Sequence, residues 1–163
     1  MYKTVNEVDW ENWDPVIVAT LMFVIRDGQV LLIHKKRGFG KGKINGPGGK
    51  LEAGETPEQC AIRETQEELC ITPTGVKFAG LLHFQFTDNY SIHGYVYSAT
   101  DYEGEPTETD EAIPLWCSIE EMPFDRMWED DRLWFPYLLE GRRFSGRFVF
   151  DDDRMLDHVL HLD

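Results

Sequence analysis

The chain has 163 residues, 42% of them hydrophobic and 13% aromatic, which suits one packed domain and excludes a disordered tail or a disulfide-stapled miniprotein. A formal net charge of −14 excludes duplex DNA or RNA as a favoured partner, yet leaves room for a small phosphorylated ligand screened locally. No apolar run is long enough for a bilayer, acidic rather than basic residues (Glu7, Asp9, Glu11, Asp14) precede the first apolar segment, and Cys60, Cys70 and Cys117 form no metal-type pair, so a reduced, cytoplasmic setting is expected.

Residues 1–15 read as an arm, and Trp10 and Trp13 give it something to pack with. Residues 16–163 are expected to form a single domain. Val16–Ile25 and Gln29–His34 are apolar and β-branched and flank Asp27-Gly28, which predicts a hairpin with a tight turn. Residues 38–49 hold six glycines, so their backbone can approach a ligand closely, but neither Walker nor dinucleotide spacing is present. From Arg26 to Lys50 the only acid is Asp27, against Arg26, Lys35, Lys36, Arg37, Lys41, Lys43 and Lys50.

A helix is predicted from Pro57 to Leu69, with Thr56 as N-cap, Pro57 in the first turn and Gln59 as capping-box partner. Strands follow at Val76–Phe86 and Ile92–Thr100, around a polar turn at Thr87-Asp88-Asn89. Glu103–Ile113 reads as an acidic loop, Leu115–Ile119 as a strand, Asp130–Leu139 as a helix despite Pro136, and Phe144–Phe150 as a late strand. Many strands with two helices imply an α+β fold, a mixed sheet with helices packed on it.

The sharpest constellation is Arg63-Glu64-Thr65-Gln66-Glu67-Glu68. On a helix, Glu64 shares a face with Glu67 and Glu68, one turn away. Such a cluster repels itself unless a cation neutralises it, and magnesium prefers oxygen ligands together with substrate phosphates. The bland alternative is a solvated acidic face.

The wider spacing favours the metal. Gly49 is followed by five residues and Glu55, then seven residues and Arg63-Glu64, then Thr65, Gln66, Glu67-Glu68, Leu69, Cys70 and Ile71. This resembles the box of the Nudix hydrolase family. The resemblance implies an α/β/α sandwich with a mixed curved sheet and a loop–helix–loop catalytic motif. It implies metal ligands at Glu64, Glu67 and Glu68, with the Gly48 carbonyl and Glu111 in addition, and Arg63 and Glu55 orienting them. Glu67 or Glu68 is also a candidate base. Magnesium is the expected cofactor, with manganese as an alternative. Thr65 replaces an aliphatic residue, and Cys70 replaces the glycine that ends the family's helix. If that position is left-handed, cysteine costs about 1 kcal/mol there.

Lys35–Gly40, Asn45–Lys50, Phe84–Phe86 and Trp128–Asp131, then Trp134-Phe135-Pro136, resemble the branch of the family that hydrolyses oxidised purine nucleoside triphosphates. Ile44 and Pro47 depart from that branch, which has tryptophan and phenylalanine there, and the arm has no counterpart in it. The chemistry agrees. Asp130 and Asp131 can accept from purine N–H groups, and burial would keep one protonated to donate to a carbonyl. Asn45 both donates and accepts. Phe39, Phe84 and Trp128 offer apolar walls. Thr20 and Lys35 match pocket positions, and Lys35 or Lys50 reaches phosphates. Trp134 is expected in the core.

The expected activity is metal-dependent hydrolysis of 8-oxo-dGTP, with 2-hydroxy-dATP as a second candidate, to monophosphate and diphosphate, cleansing the nucleotide pool. The substrate would be the only partner: no nucleic acid polymer, no membrane, and a monomer. The rivals are hydrolysis of ADP-ribose or a normal nucleotide, and a sensor that binds without turnover. Loss of the box glutamates would mark a sensor, and all three are present.

Overall fold

The first strand, β1 (Ile17–Arg26), turns at Asp27-Gly28 into β2 (Gln29–Lys35), as the hairpin signal predicts. Only the turn end of this hairpin is paired, at Val24–Leu31, Ile25–Val30 and Arg26–Gln29. Beyond it the two strands part. The glycine-rich segment enters the gap: Met22 donates its amide to the Pro47 carbonyl at 2.8 Å, Thr20 to Gly49 at 2.9 Å, and the Leu51 amide donates back to Val18 at 3.0 Å. This insertion demands small residues. A Cβ on Gly48 would stand 1.8 Å from the Thr20 carbonyl oxygen, and one on Gly46 would stand 2.7 Å from the Phe23 ring.

The computed structural model describes residues 2–163; Met1, counted in the expected arm, lies outside them. The remaining elements are β3 (Ile44–Asn45), α1 (Pro57–Leu69), β4 (Ile71–Thr74), β5 (Lys77–Phe86), β6 (Ser91–Ala99), β7 (Asp101–Gly104), β8 (Ala112–Ser118), α2 (Asp131–Leu139), β9 (Phe144–Asp151) and β10 (Arg154–Leu162). The main sheet runs β10-β9-β5-β6-β1-β2-β3, and β8 pairs with β2. β1–β6 and β5–β9 are parallel and the other pairs antiparallel, so the sheet is mixed. β4 and β7 form a separate small sheet.

Alternation along the strands separates the two helical layers. Met22, Val24, Leu31 and Ile33 face α1, where they bury Ala61 and Leu69. Phe23, Val30 and Leu32 face the other way, onto Trp134, Phe135 and Leu138 of α2. The result is an α+β sandwich of helix, mixed sheet and helix. Trp134 is fully buried, as expected of a core residue.

Four strands were not expected from the sequence. β3 has two residues, β4 contains Pro73, β7 occupies the start of the expected acidic loop, and β10 lies in a charged stretch. Each is an edge strand or nearly so, where one-sided pairing leaves little hydrophobic pattern to read. β8 begins at Ala112, three residues earlier than expected, because its full length pairs with β2.

Candidate active site

The helix α1 starts as its sequence directs. Thr56 Oγ1 accepts from the Gln59 amide at 3.2 Å, and the Gln59 side chain accepts from the Thr56 amide at 3.0 Å. It ends on Cys70, left-handed at φ 62°. Glycine is the residue that takes this conformation without strain, so the departure noted in the sequence carries its cost here.

Between these ends α1 presents Glu64 and Glu68 to the sheet. Glu111, on the loop before β8, meets them, and one carboxylate oxygen of each lies within 4.8 Å of the others. Three ties hold that loop to α1 and to the residue after β2: Thr109 Oγ1 donates to the Glu68 carbonyl at 2.8 Å, the Thr107 amide to Leu69 at 2.9 Å, and the Lys36 amide to Glu111 at 2.9 Å. Burial pushes the Glu68 carboxyl up to about 8, only partly offset by the Gly48 amide, which donates to it at 3.0 Å. Burial raises Glu64 as well. An all-oxygen donor set of three close carboxyls suits a hard divalent cation, which would favour the ionised form of Glu64 and Glu68.

Glu67 stands outside this group. A step of three residues turns it the other way from Glu68 around the helix, and its half-exposed carboxylate pairs with Arg63 at 3.2 Å. Arg63 is the hub of the surrounding charges. Its Nε and Nη2 fork onto Glu55 at 2.6 and 2.9 Å, Nη1 reaches Glu64 at 2.9 Å, and Nη2 also donates to the Lys50 carbonyl at 3.1 Å. The hydrogen bond from Arg63 holds Glu55 down at about 2. Glu55 and Arg63 thus orient Glu64 and the loop rather than enter the acidic group. Cys60 is buried beneath, its thiol pushed up to about 11 by desolvation, which makes it an inert packing group.

A cavity of about 520 Å³ runs from this acidic group across the sheet to the start of α2. Thr20, Lys35, Phe39, Asn45, Lys50, Phe84, Trp128, Asp130 and Asp131 all line it, although they come from distant parts of the chain. Gly48, Glu64, Glu68 and Glu111 line its other end. Phe39 and Trp128 stack on each other, centroids 5.2 Å apart and 13° between planes. The Asn45 side-chain oxygen Oδ1 accepts from the Gly46 amide at 2.8 Å.

Asp130 and Asp131 are 1% and 2% exposed. The Trp134 indole donates to Asp130 Oδ2 at 2.8 Å, but Asp130 Oδ1 and Asp131 Oδ2 are buried without a partner. Burial raises both carboxyls above the usual carboxylate range, and at Asp131 the Asp130 charge adds to the effect. Two orphaned oxygens side by side in a cavity wall are costly unless something else meets them. Arg37, Phe86 and Tyr90 also line the cavity and were not singled out from the sequence. Arg37 pairs with Glu111 at 3.2 Å. Its place in the basic run was a usable signal; Tyr90, beside a turn, carried none.

The NUDIX domain pattern matches residues 15–138. The chain belongs to the Nudix family. This Nudix protein is 46% identical over 147 residues to the oxidized purine nucleoside triphosphate hydrolase of Danio rerio, covering 88% of this chain and 93% of the relative. It is 40% identical over 143 residues to the protein of that name from Mus musculus, covering 86% and 92%. Among solved structures it resembles a mutator MutT protein from Bacillus halodurans, with a TM-score of 0.81 and 28% identity over 89% of this chain and 97% of that one. No helix among the described residues is long and apolar enough to cross a membrane.

Proposed function

We propose that this Nudix hydrolase converts oxidised purine nucleoside triphosphates, 8-oxo-dGTP first among them, to the monophosphate and diphosphate, with magnesium as its working ion. The observation that carries the reading is the pair of orphaned carboxyl oxygens on Asp130 and Asp131, in the wall of the cavity whose other end holds Glu64, Glu68 and Glu111. Hydrolases of this name in fish and mouse are similar over most of their length and support it.

The base chemistry follows from protonation. A purine edge offers N–H donors beside a carbonyl acceptor. Burial raises both carboxyls, so one of the pair keeps its proton and donates to the carbonyl while the other accepts from the N–H groups, with Asp130 fixed by Trp134. The Asn45 amide nitrogen adds a donor, because its oxygen is engaged by Gly46. Phe84 and Trp128 supply the apolar walls. With the base at this end, the phosphates point to the acidic group, and Lys35 and Lys50 line the way.

At that end Glu64, Glu68 and Glu111 would hold the ion, which supplies charge screening and Lewis acidity at the phosphates when bound. Arg63 and Glu55 keep Glu64 in place. Glu67, half-exposed and paired with Arg63, stays beside this group, and Glu67 or Glu68 takes the proton from the incoming water. The protein works as a monomer in the cytoplasm, and segments 2–15 and 16–163 act as arm and domain.

The test is a comparison of kcat/KM for 8-oxo-dGTP, 2-hydroxy-dATP, dGTP and ADP-ribose with magnesium. The oxidised purines are expected to lead. Equal or faster turnover of ADP-ribose would reject the assignment.

A further inference from the structure

Segment 2–14 precedes the stretch that matches the family, and the chemistry above uses none of it. It is nonetheless tied down. Two short 3₁₀ turns, Val5–Glu7 and Trp10–Asn12, bury Val5 and Val8 against Val149 of β9, beside Leu156 and Val159. The Val5 amide donates to Asp157 Oδ2 at 2.8 Å, and the Trp10 indole donates to the Val5 carbonyl at 2.9 Å. Those contacts stabilise the edge of the sheet and nothing more.

The end of the segment does more. Trp13 Nε1 donates to Gln85 Oε1 at 2.9 Å. Gln85 Nε2 in turn donates to the carbonyls of Phe86 at 2.9 Å and Tyr90 at 3.2 Å. Gln85 is buried, so its amide has little water to turn to if a partner is lost. The Phe86 amide donates to the Tyr90 carbonyl at 2.9 Å, and the Val16 amide donates to Ser91 Oγ at 2.9 Å, which clasps the far side of the same turn. Phe86 and Tyr90 line the base end of the cavity, and both pack against Phe39, at 5.6 and 5.5 Å. The indole and the aromatic wall therefore lie on opposite faces of β5, joined through one glutamine.

The seat beneath the indoles is built to stay uncharged. His83 and His93 lie 4.6 Å apart, Trp13 packs 5.1 Å from His83, and each Nε2 is buried without a partner. Arg147 lies over Trp10 at 5.2 Å and adds a cation on that side.

We infer that segment 2–14 is a brace for the base pocket. Trp13 is a positioning residue that acts through Gln85 to hold the 86–90 turn, and with it Phe86 and Tyr90, in the shape that receives the base. This rests on reading the cavity as the base pocket. Without the indole N–H, a buried Gln85 oxygen has no donor. The amide then rotates to find one and lets go of the two carbonyls that define the turn. The consequence is weaker nucleotide binding with unaltered chemistry at the glutamates.

The experiment is steady-state kinetics on the full chain with magnesium and 8-oxo-dGTP. It compares Trp13→Phe, which keeps a smaller aromatic ring and loses the donor, Gln85→Glu, which can still accept from Trp13 but cannot donate to the turn, and Val8→Ala, which loosens the segment far from the pocket. Trp13→Phe and Gln85→Glu are expected to raise KM roughly tenfold, with kcat within about twofold of the parent. Val8→Ala is expected to lower Tm while leaving KM at the parent value. An unchanged KM in Trp13→Phe and Gln85→Glu, or an equal rise in Val8→Ala, overturns the brace. If the parent ignores oxidised purines, the functional assignment fails instead, and the same three variants are compared with the triphosphate the parent does hydrolyse.

Discussion

Glu68→Gln tests the electrostatics of the acidic group without relying on turnover. Glu68 is 3% exposed, its carboxyl is pushed up to about 8 by burial, and the Gly48 amide donates to it. In the unfolded chain a glutamate titrates near its ordinary value, so below about pH 4.5 both states hold the proton and no penalty exists. Between there and about 8, the unfolded state releases its proton while the folded state keeps it. Stability then falls as pH rises, by about 1.4 kcal/mol for each pH unit, and levels off above the folded value. The full effect is about 3 to 5 kcal/mol, the lower figure allowing for relaxation and water entry. Glutamine has the same shape, still accepts from Gly48, and has no charge to strand. In EDTA, therefore, Glu68→Gln should match the parent near pH 4.5 and melt on the order of 10 °C higher near pH 8, each kcal/mol being about 2–4 °C for a chain of this size. Taking the difference between the two proteins cancels the titrating groups remote from Glu68, Asp130 and Asp131 among them, while Glu64 and Glu111 respond with it as one acidic group. Magnesium should raise the parent's Tm and not the variant's, and kcat/KM should fall by at least about 100-fold. Parallel Tm profiles for the two proteins across this range would refute the reasoning.

Asp131→Asn should lower the preference for 8-oxo-dGTP over dGTP by roughly 10- to 100-fold, with little change in magnesium dependence, and a reversed pattern of losses would reject Asp131 as a base reader. Cys70→Gly should relieve the left-handed turn at φ 62° and raise Tm by about 2–4 °C in a thermal melt, since the thiol is exposed and little packing is lost. Gly49→Ala and Gly48→Ala should separate site from fold. At Gly49 the new Cβ meets the movable Glu64 carboxyl at 2.4 Å, so magnesium affinity should drop in a titration while circular dichroism stays that of the parent. At Gly48 it meets the Thr20 backbone oxygen at 1.8 Å, so the protein should fail to accumulate in folded form.

Local signals wrote the catalytic helix into the sequence. Thr56, Pro57 and Gln59 set its start, the glutamate spacing set its reactive face, and Cys70 marked an unusual end, because capping and periodicity act over a few residues. The family resemblance likewise named residues that line one cavity, though not their geometry. Long-range contacts decided the rest. That Glu111 and not Glu67 completes the acidic group depends on a loop from residues 105–111 being tied to α1 through Thr107 and Thr109. That β1 and β2 separate after three pairs depends on Gly46, Gly48 and Gly49 finding room between them. The unpartnered oxygens of Asp130 and Asp131 exist only because α2 is packed on the sheet. In the sequence the arm was two tryptophans in an acidic stretch. Only the folded chain sets Trp13 against Gln85, 72 residues away, because nothing in local propensity records which buried amide an indole will meet.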